Sequence, residues 1–104
     1  MAKVTVEPGI CGLVTTIEAI QEDRKTVRLT IDTACPNLKP LSEELATIDG
    51  MKECFAKIGD SVIFETTRKY CKHAACPVPT GIHKCVEVAC KLALPKDVII
   101  TISK

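Results

Sequence analysis

The chain has 104 residues, and its acidic and basic side chains nearly balance, which gives a formal net charge of +1. This length predicts a single domain, residues 1–104, that buries enough surface to fold on one hydrophobic core. There is no basic stripe, and only three side chains are aromatic. Because nucleic-acid binding relies on phosphate-contacting cations and stacking rings, this composition argues against a nucleic-acid-binding protein.

Neither a targeting segment nor a membrane span is predicted. Residues 1–8 lack the apolar stretch of a secretory signal peptide. No apolar run approaches the ~18 residues that a membrane-spanning helix requires. We therefore expect a cytoplasmic protein that does not associate with membranes.

The first third of the chain predicts three antiparallel strands. Alternating valines indicate a strand over Lys3–Glu7, which Pro8 stops. Leu13–Ile20 is rich in β-branched residues, and Thr26–Asp32 alternates between apolar and polar side chains. The polar residues 21–25 between them predict the turn of a hairpin.

The middle of the chain has helical periodicity. Apolar side chains recur at spacings of three and four from Leu38 to Ile48, which predicts an amphipathic helix over that range. A second, short helix is predicted over Met51–Ile58, with Gly59 as its C-terminal stop. Ser61–Thr66 is predicted to be extended.

The last third begins with an irregular loop and ends in regular structure. Prolines interrupt residues 68–80, and Thr80 is a suitable N-cap for a helix over Gly81–Leu92 that Pro95 ends. Alternation over residues 98–102 predicts a final strand. Together the elements predict the α+β class: an antiparallel sheet of three to four strands with two or three helices packed on one face.

Cysteine is the unusual component of this sequence. An odd number of cysteines without a signal peptide disfavours a disulfide framework, and in a reducing compartment a cysteine-rich pattern more often reflects metal or redox chemistry. The seven cysteines are Cys11, Cys35, Cys54, Cys71, Cys76, Cys85 and Cys90.

Four cysteines lie where a thiolate would be accessible and stabilised. Cys11 precedes Gly12 in the turn before the hairpin, and Cys35 follows a strand at the predicted start of a helix, where free N–H groups stabilise an anion. Cys71 and Cys76 lie in the irregular loop among basic residues. We predict that these four cysteines converge at one end of the sheet and hold a metal or a cluster.

The remaining cysteines and the two histidines form a second tier. Cys54 and Cys90 fall on apolar helix faces and are expected to be core residues. Cys85, His83 and His73 lie in or beside the irregular loop and are further candidate ligands. No C-x-x-C pair is present, so a zinc-finger pattern is not supported.

The order of these features resembles that of a known family. Cys11-Gly12 opens a hairpin, Thr33-Ala34-Cys35 leads from the hairpin into a helix, and a Cys/His-bearing loop precedes a final amphipathic helix. This order resembles the iron–sulfur cluster assembly scaffold family (NifU N-terminal-like) over most of residues 4–94. The resemblance implies an antiparallel sheet covered by helices, with three cysteines that converge to hold a nascent 2Fe–2S cluster.

The resemblance also implies which residues would act. Cys11 matches the first scaffold cysteine and Cys35 the second, whereas the third is either Cys76, by spacing, or Cys85, by its neighbouring histidine. Leu13 stands where the family has an acidic residue that assists cluster release. Pro36 replaces the small residue that follows the second cysteine in that family. A stable cluster would therefore bind where a scaffold releases one.

The sequence is also similar to uncharacterised small cysteine-rich proteins of anaerobic bacteria and methanogenic archaea, which implies an anaerobic cytosol.

We predict an iron–sulfur cluster protein rather than an enzyme, with a 2Fe–2S or 4Fe–4S cluster on four thiolates. It would act in cluster assembly, delivery or electron transfer, with protein partners that donate or accept the cluster. The alternatives are a structural zinc domain on the same cysteines, a redox protein in which Cys71 and Cys76 form a disulfide and Cys35 is the nucleophile, or an interaction domain whose cysteines are incidental. The oligomeric state is open, and a dimer that shares the site is one of the alternatives.

Overall fold

The computed structural model describes all residues from Met1 to Lys104. Four strands form one open antiparallel sheet, and their order in the sheet is their order in the chain. The strands are β1 (Ala2–Val6), β2 (Thr15–Gln21), β3 (Thr26–Thr33) and β4 (Thr47–Asp49). The predicted hairpin is confirmed, with Thr15 paired to Thr33 at its open end.

The sheet packs on one face only. The alternation of the hairpin directs one set of side chains to the helices and the other to solvent, as expected for an antiparallel sheet with one covered face. The buried apolar side chains of β2 and β3 are Ile17, Ala19, Val27, Leu29 and Ile31. Polar residues such as Glu18, Arg28 and Thr30 occupy the other face.

Four short helices complete the fold, so the α+β class is confirmed with one helix more than the predicted maximum. They are α1 (Leu41–Glu44), α2 (Gly50–Cys54), α3 (Val62–Tyr70) and α4 (Val78–Ala89). The longest of them, α4, packs against β1 and β2, and α3 packs against α4. Ile82 and Val86 of α4 are fully buried, and burial of each side chain stabilises the fold by about 1.5–3 kcal/mol.

The predicted helix from Leu38 to Ile48 is wrong over most of its length. The chain forms a 3-10 turn at Pro36–Leu38, then the single turn α1, and then strand β4. Pro40 has no N–H to donate, so a helix cannot pass through that position uninterrupted. The apolar stripe is nevertheless buried, because Leu38, Leu41, Leu45 and Ile48 all reach the core from these shorter elements.

The predicted extended segment at Ser61–Thr66 is also wrong, because this segment begins α3. Ser61 caps the helix by accepting a hydrogen bond from the Phe64 N–H at 3.2 Å. The Glu53 carboxylate accepts from the N–H groups of Val62 at 3.0 Å and Ile63 at 2.7 Å. A residue outside the helix thus supplies acceptors that local sequence does not reveal.

The last helix begins earlier than predicted. Thr80 is not its N-cap, since α4 begins at Val78 and includes Pro79 in its first turn, where a missing N–H is tolerated. The helix ends with Lys91 in the left-handed region, at φ 62°.

The predicted final strand is not paired in this structure. No hydrogen bond involves residues 93–104, and residues 94–104 are exposed. The fourth strand of the sheet is β4 instead. No helix is both long and apolar enough to cross a membrane.

Candidate functional site

Cys35 is held at the end of β3 by a hydroxyl pair. Thr15 and Thr33 bring their buried side-chain oxygens to 2.7 Å from each other, and Thr33 Oγ1 also accepts from the Cys35 N–H at 3.1 Å. The Lys39 ammonium donates to the Thr33 carbonyl at 3.0 Å. The half-buried Cys35 is therefore fixed relative to the sheet, and a positive charge stands near it.

Cys71 and Cys76 are brought together by a turn that closes on the carbonyl of His73. Cys71 ends α3, where its N–H donates to the Thr67 carbonyl at 2.8 Å. The His73 carbonyl accepts from the Cys71 thiol at 3.4 Å and from the Cys76 N–H at 3.1 Å. The turn therefore places the two half-buried cysteines side by side.

The electrostatics of Cys76 link the three thiols. Burial is the largest influence raising the pKa of Cys76, and the neighbouring Cys71 and then Cys35 raise it further, while the Val78 N–H opposes them. Negative charges on adjacent thiolates repel, so they do not ionise together without a compensating cation. Cys71 and Cys76 meet at the His73 carbonyl, and α3 packs against the turn that follows Cys35, so we call these three residues the thiol cluster.

Cys11 lies at the same end of the sheet but outside the thiol cluster. Its loop joins β1 to β2 next to Cys35, because the Val14 carbonyl accepts from the Ala34 N–H at 3.0 Å. The Cys11 thiol is exposed, and it follows a turn in which the Gly12 N–H donates to the Gly9 carbonyl at 3.0 Å. No group of three or more Cys, His, Asp or Glu side chains is arranged to coordinate a metal ion in this conformation.

The other three cysteines lie in or against the core. Cys85 is fully buried, and its thiol is 3.5 Å from each of the carbonyls of Ala2 and Ile17. Burial raises the pKa of Cys85 to about 11. This environment disfavours the thiolate that a ligand must provide.

Cys54 and Cys90 are neighbours at the opposite end of the molecule from the thiol cluster. Cys90 packs so closely on α2 that a Cβ added to Gly50 would lie 2.6 Å from its sulfur. The Gly50 N–H in turn donates to the Lys25 carbonyl in the hairpin turn. Burial, followed by proximity to Cys90, raises the pKa of Cys54 to about 11.

The two histidines lie at different places in the fold. His73 is exposed in the turn beside the thiol cluster, to which it contributes a carbonyl. His83 lies near the start of α3, with Nε2 2.8 Å from the Ser61 hydroxyl and its ring stacked on Phe64 at 5.2 Å. Burial lowers the pKa of His83 and so disfavours its charged form. Cys71 is at the opposite end of that same helix, so His83 does not belong to the thiol cluster.

The features above define an α+β protein whose open antiparallel sheet carries a cluster of thiols at one end. The chain belongs to the family of unknown function DUF6951, whose model matches residues 2–102. That match spans the sheet, all four helices and all seven cysteines. No curated protein and no solved structure matches the chain.

Proposed function

We propose that the protein binds an iron–sulfur cluster, 2Fe–2S or 4Fe–4S, through the thiolates of Cys35, Cys71 and Cys76, with Cys11 as the fourth ligand. The observation that supports this proposal most directly is the thiol cluster itself. Residues from the end of β3, the end of α3 and the loop before α4 contribute to it. Neither a local motif nor a disulfide accounts for that convergence.

The charge of the surroundings suits a thiolate-bound cluster. Lys39 stands beside Cys35 through its hydrogen bond to Thr33, and Arg68 and Lys69 lie in the last turn of α3 next to Cys71. Thiolates bound to iron leave a negative site, which nearby cations stabilise. The Val78 N–H also favours the Cys76 thiolate, since it acts to lower the pKa of that thiol against the effect of burial.

The position of Cys11 suggests a labile fourth ligand. It is exposed on a loop in which Gly9 and Gly12 both have positive φ, 93° and 68°. A loop with such glycines can rearrange more readily than the strand ends that hold the other thiols. One loosely held ligand suits a protein that receives a cluster from one protein and passes it to another. We place this activity in assembly, delivery or electron transfer in the cytoplasm of an anaerobe.

Anaerobic reconstitution with ferrous iron and sulfide tests the proposal. We expect a brown protein with thiolate-to-iron charge-transfer absorption, and loss of most of the bound iron in Cys35→Ser, Cys71→Ser and Cys76→Ser. Cys54→Ser is the matched control, because it removes a half-buried thiol at the opposite end of the molecule. Cys11→Ser should bind iron but release it faster to a chelator.

A colourless protein without iron or sulfide, or equal loss of iron in the Cys54 variant, would contradict the proposal. Elemental analysis of the anaerobic protein distinguishes the structural zinc alternative, which gives about one equivalent of colourless metal. In that case chelation should unfold the domain, because zinc binding contributes to folding.

A second candidate function is favoured by the turn in which the Cys71 thiol and the Cys76 N–H donate to the same His73 carbonyl. In a thiol–disulfide exchange, their two sulfurs would form one bond and release two protons and two electrons to a disulfide partner such as oxidised glutathione. Incubation in glutathione buffers of graded potential, followed by alkylation and peptide mapping, tests this function. We expect a reversible Cys71–Cys76 disulfide if it is correct. Only mixed glutathione adducts, with no internal bond, would exclude it.

A further inference from the structure

The C-terminal arm, residues 93–104, exposes an apolar segment that nothing in the chain covers. Ile100 is 75% exposed and Ile102 is 89% exposed. The arm makes no hydrogen bond with the rest of the molecule. A short β-branched run of low charge with unpaired backbone groups readily adds to an available strand edge.

The same chain offers such an edge. β1 is the outer strand of the sheet, so one side of its backbone over Ala2–Val6 has no strand partner. The opposite edge strand, β4, has only three residues. A longer segment therefore has its best template at β1.

The arm and β1 match in length and in pattern. Both Val98–Ile102 and Ala2–Val6 contain five residues. In β1, Ala2, Val4 and Val6 face the helices, and in the arm Val98, Ile100 and Ile102 would share one face of a strand. An added fifth strand would thus continue the apolar face of the sheet beyond its present edge.

Charges select a register for this pairing. With Val98 beside Ala2 in a parallel arrangement, Asp97 comes beside Met1 and is the diagonal neighbour of Lys3 on the same face of the pair. An antiparallel arrangement that keeps Ile100 opposite Val4 would place Asp97 opposite Glu7, where like charges repel. The parallel register is therefore favoured.

The end of α4 separates the helix from the arm, which is exposed from residue 94 onward. The N–H groups of Lys91 and Leu92 donate to the carbonyls of Val88 at 3.0 Å and Glu87 at 2.9 Å. These two bonds, with Lys91 in the left-handed region, form a Schellman motif that stops the helix and turns the chain. The molecule is elongated, 43 Å along one axis against 27 and 24 Å along the others.

We propose that the arm of one copy adds to the β1 edge of a second copy, and that the second copy returns its own arm in the same way. This exchange gives a closed dimer with twofold symmetry, in which each sheet has five strands. It covers the apolar residues of both arms and pairs both open edges. The proposal is independent of any metal or cluster at the thiol end.

Light scattering on the full-length protein, combined with amide hydrogen exchange, tests the dimer. We expect a mass of twice the 11.3 kDa of one chain and slow exchange over residues 98–102. Ile100→Asp should raise the dimer dissociation constant at least about a hundredfold, because a carboxylate on the covered face would be desolvated. Ile58→Asp is the matched control, since Ile58 is 89% exposed outside the arm and should leave the dimer intact.

The acceptor edge is tested by reversing charges. Asp97→Lys and Lys3→Asp should each weaken the dimer by up to about fivefold, and the double variant should recover most of the loss. No recovery would overturn the assignment of β1 as the acceptor. If the protein is still a monomer at a concentration of about 100 μM, where even a weak dimer should form, the exchange itself would be overturned. So would a dimer unaffected by Ile100→Asp, and a monomer with a protected arm would show that the arm binds its own sheet.

Discussion

At the scale of single residues, Cys85 has the environment with the clearest consequence in solution. Its thiol is fully buried among Ala2, Ile17 and the apolar face of α4, and burial raises its pKa from the ordinary value of 9.0 to about 11. In the unfolded chain this thiol loses its proton near pH 9, whereas in the fold it keeps the proton to higher pH. The unfolded state therefore binds fewer protons between pH 9 and 11, and stability falls as the pH rises through that window.

We predict that the free energy of unfolding falls between pH 9 and pH 11, by up to about 2 kcal/mol for Cys85. Cys85→Ala should be less stable at neutral pH but should show a shallower fall over this window. Anaerobic urea unfolding at a series of pH values under reducing conditions measures both quantities. Cys11→Ala, which removes an exposed thiol, should keep the slope of the wild-type protein. An unchanged slope in Cys85→Ala would contradict the assignment.

At the scale of elements, α3 depends on a carboxylate that lies outside it. Glu53 is only 3% exposed, and its two oxygens accept hydrogen bonds from the N–H groups of Val62 and Ile63. Ser61 satisfies a third N–H group of the same turn. Removal of a buried acceptor leaves a donor without a partner, which is more destabilising than the loss of an average hydrogen bond.

We predict that Glu53→Gln lowers the free energy of unfolding by about 1–3 kcal/mol, because the amide keeps one acceptor oxygen and loses the charge. Urea unfolding followed by circular dichroism measures this change. Glu43→Gln is the control, since Glu43 is exposed in the first turn of α1 and caps no other helix. Equal destabilisation of the two variants would exclude a capping role for Glu53.

Contacts between residues distant in sequence, and a single proline, explain where the predictions from sequence patterns were wrong. Local alternation around Val62 and Phe64 resembles a strand, yet Glu53 and Ser61 together supply the acceptors that begin a helix there. The apolar spacing from Leu38 to Ile48 is compatible with a helix, but Pro40 breaks it. Only the three-dimensional fold shows that the Leu29 N–H pairs with the Ala46 carbonyl at 2.9 Å, next to β4. The hairpin was predictable because its alternation extends over two strands separated by a polar turn.

At the scale of the whole molecule, position relative to the ends of elements identified most of the candidate site. Cys35, Cys71 and Cys76 each follow or precede a regular element, and these elements meet at one end of the sheet. Cys11 reaches that end only as an exposed loop residue. The burial of Cys85 could not be read from sequence, because its position within the predicted helix over Gly81–Leu92 does not show how deeply that helix face packs on the sheet. The packing of Cys85 against β1 and β2 depends on how α4 crosses the sheet.

The turn on the His73 carbonyl has a consequence for proton balance. That carbonyl accepts from a protonated Cys71 thiol, and Cys76 beside it keeps its proton to a higher pH than a free cysteine. A cation that takes these sulfurs must expel their protons, so its apparent affinity rises about tenfold per pH unit for each proton released. High pH would thus favour binding of a cation at the thiol cluster, while it destabilises the core around Cys85. Acid would oppose cation binding at the thiol cluster, whereas below pH 9 Cys85 is protonated in the folded and the unfolded chain and its contribution to stability is constant.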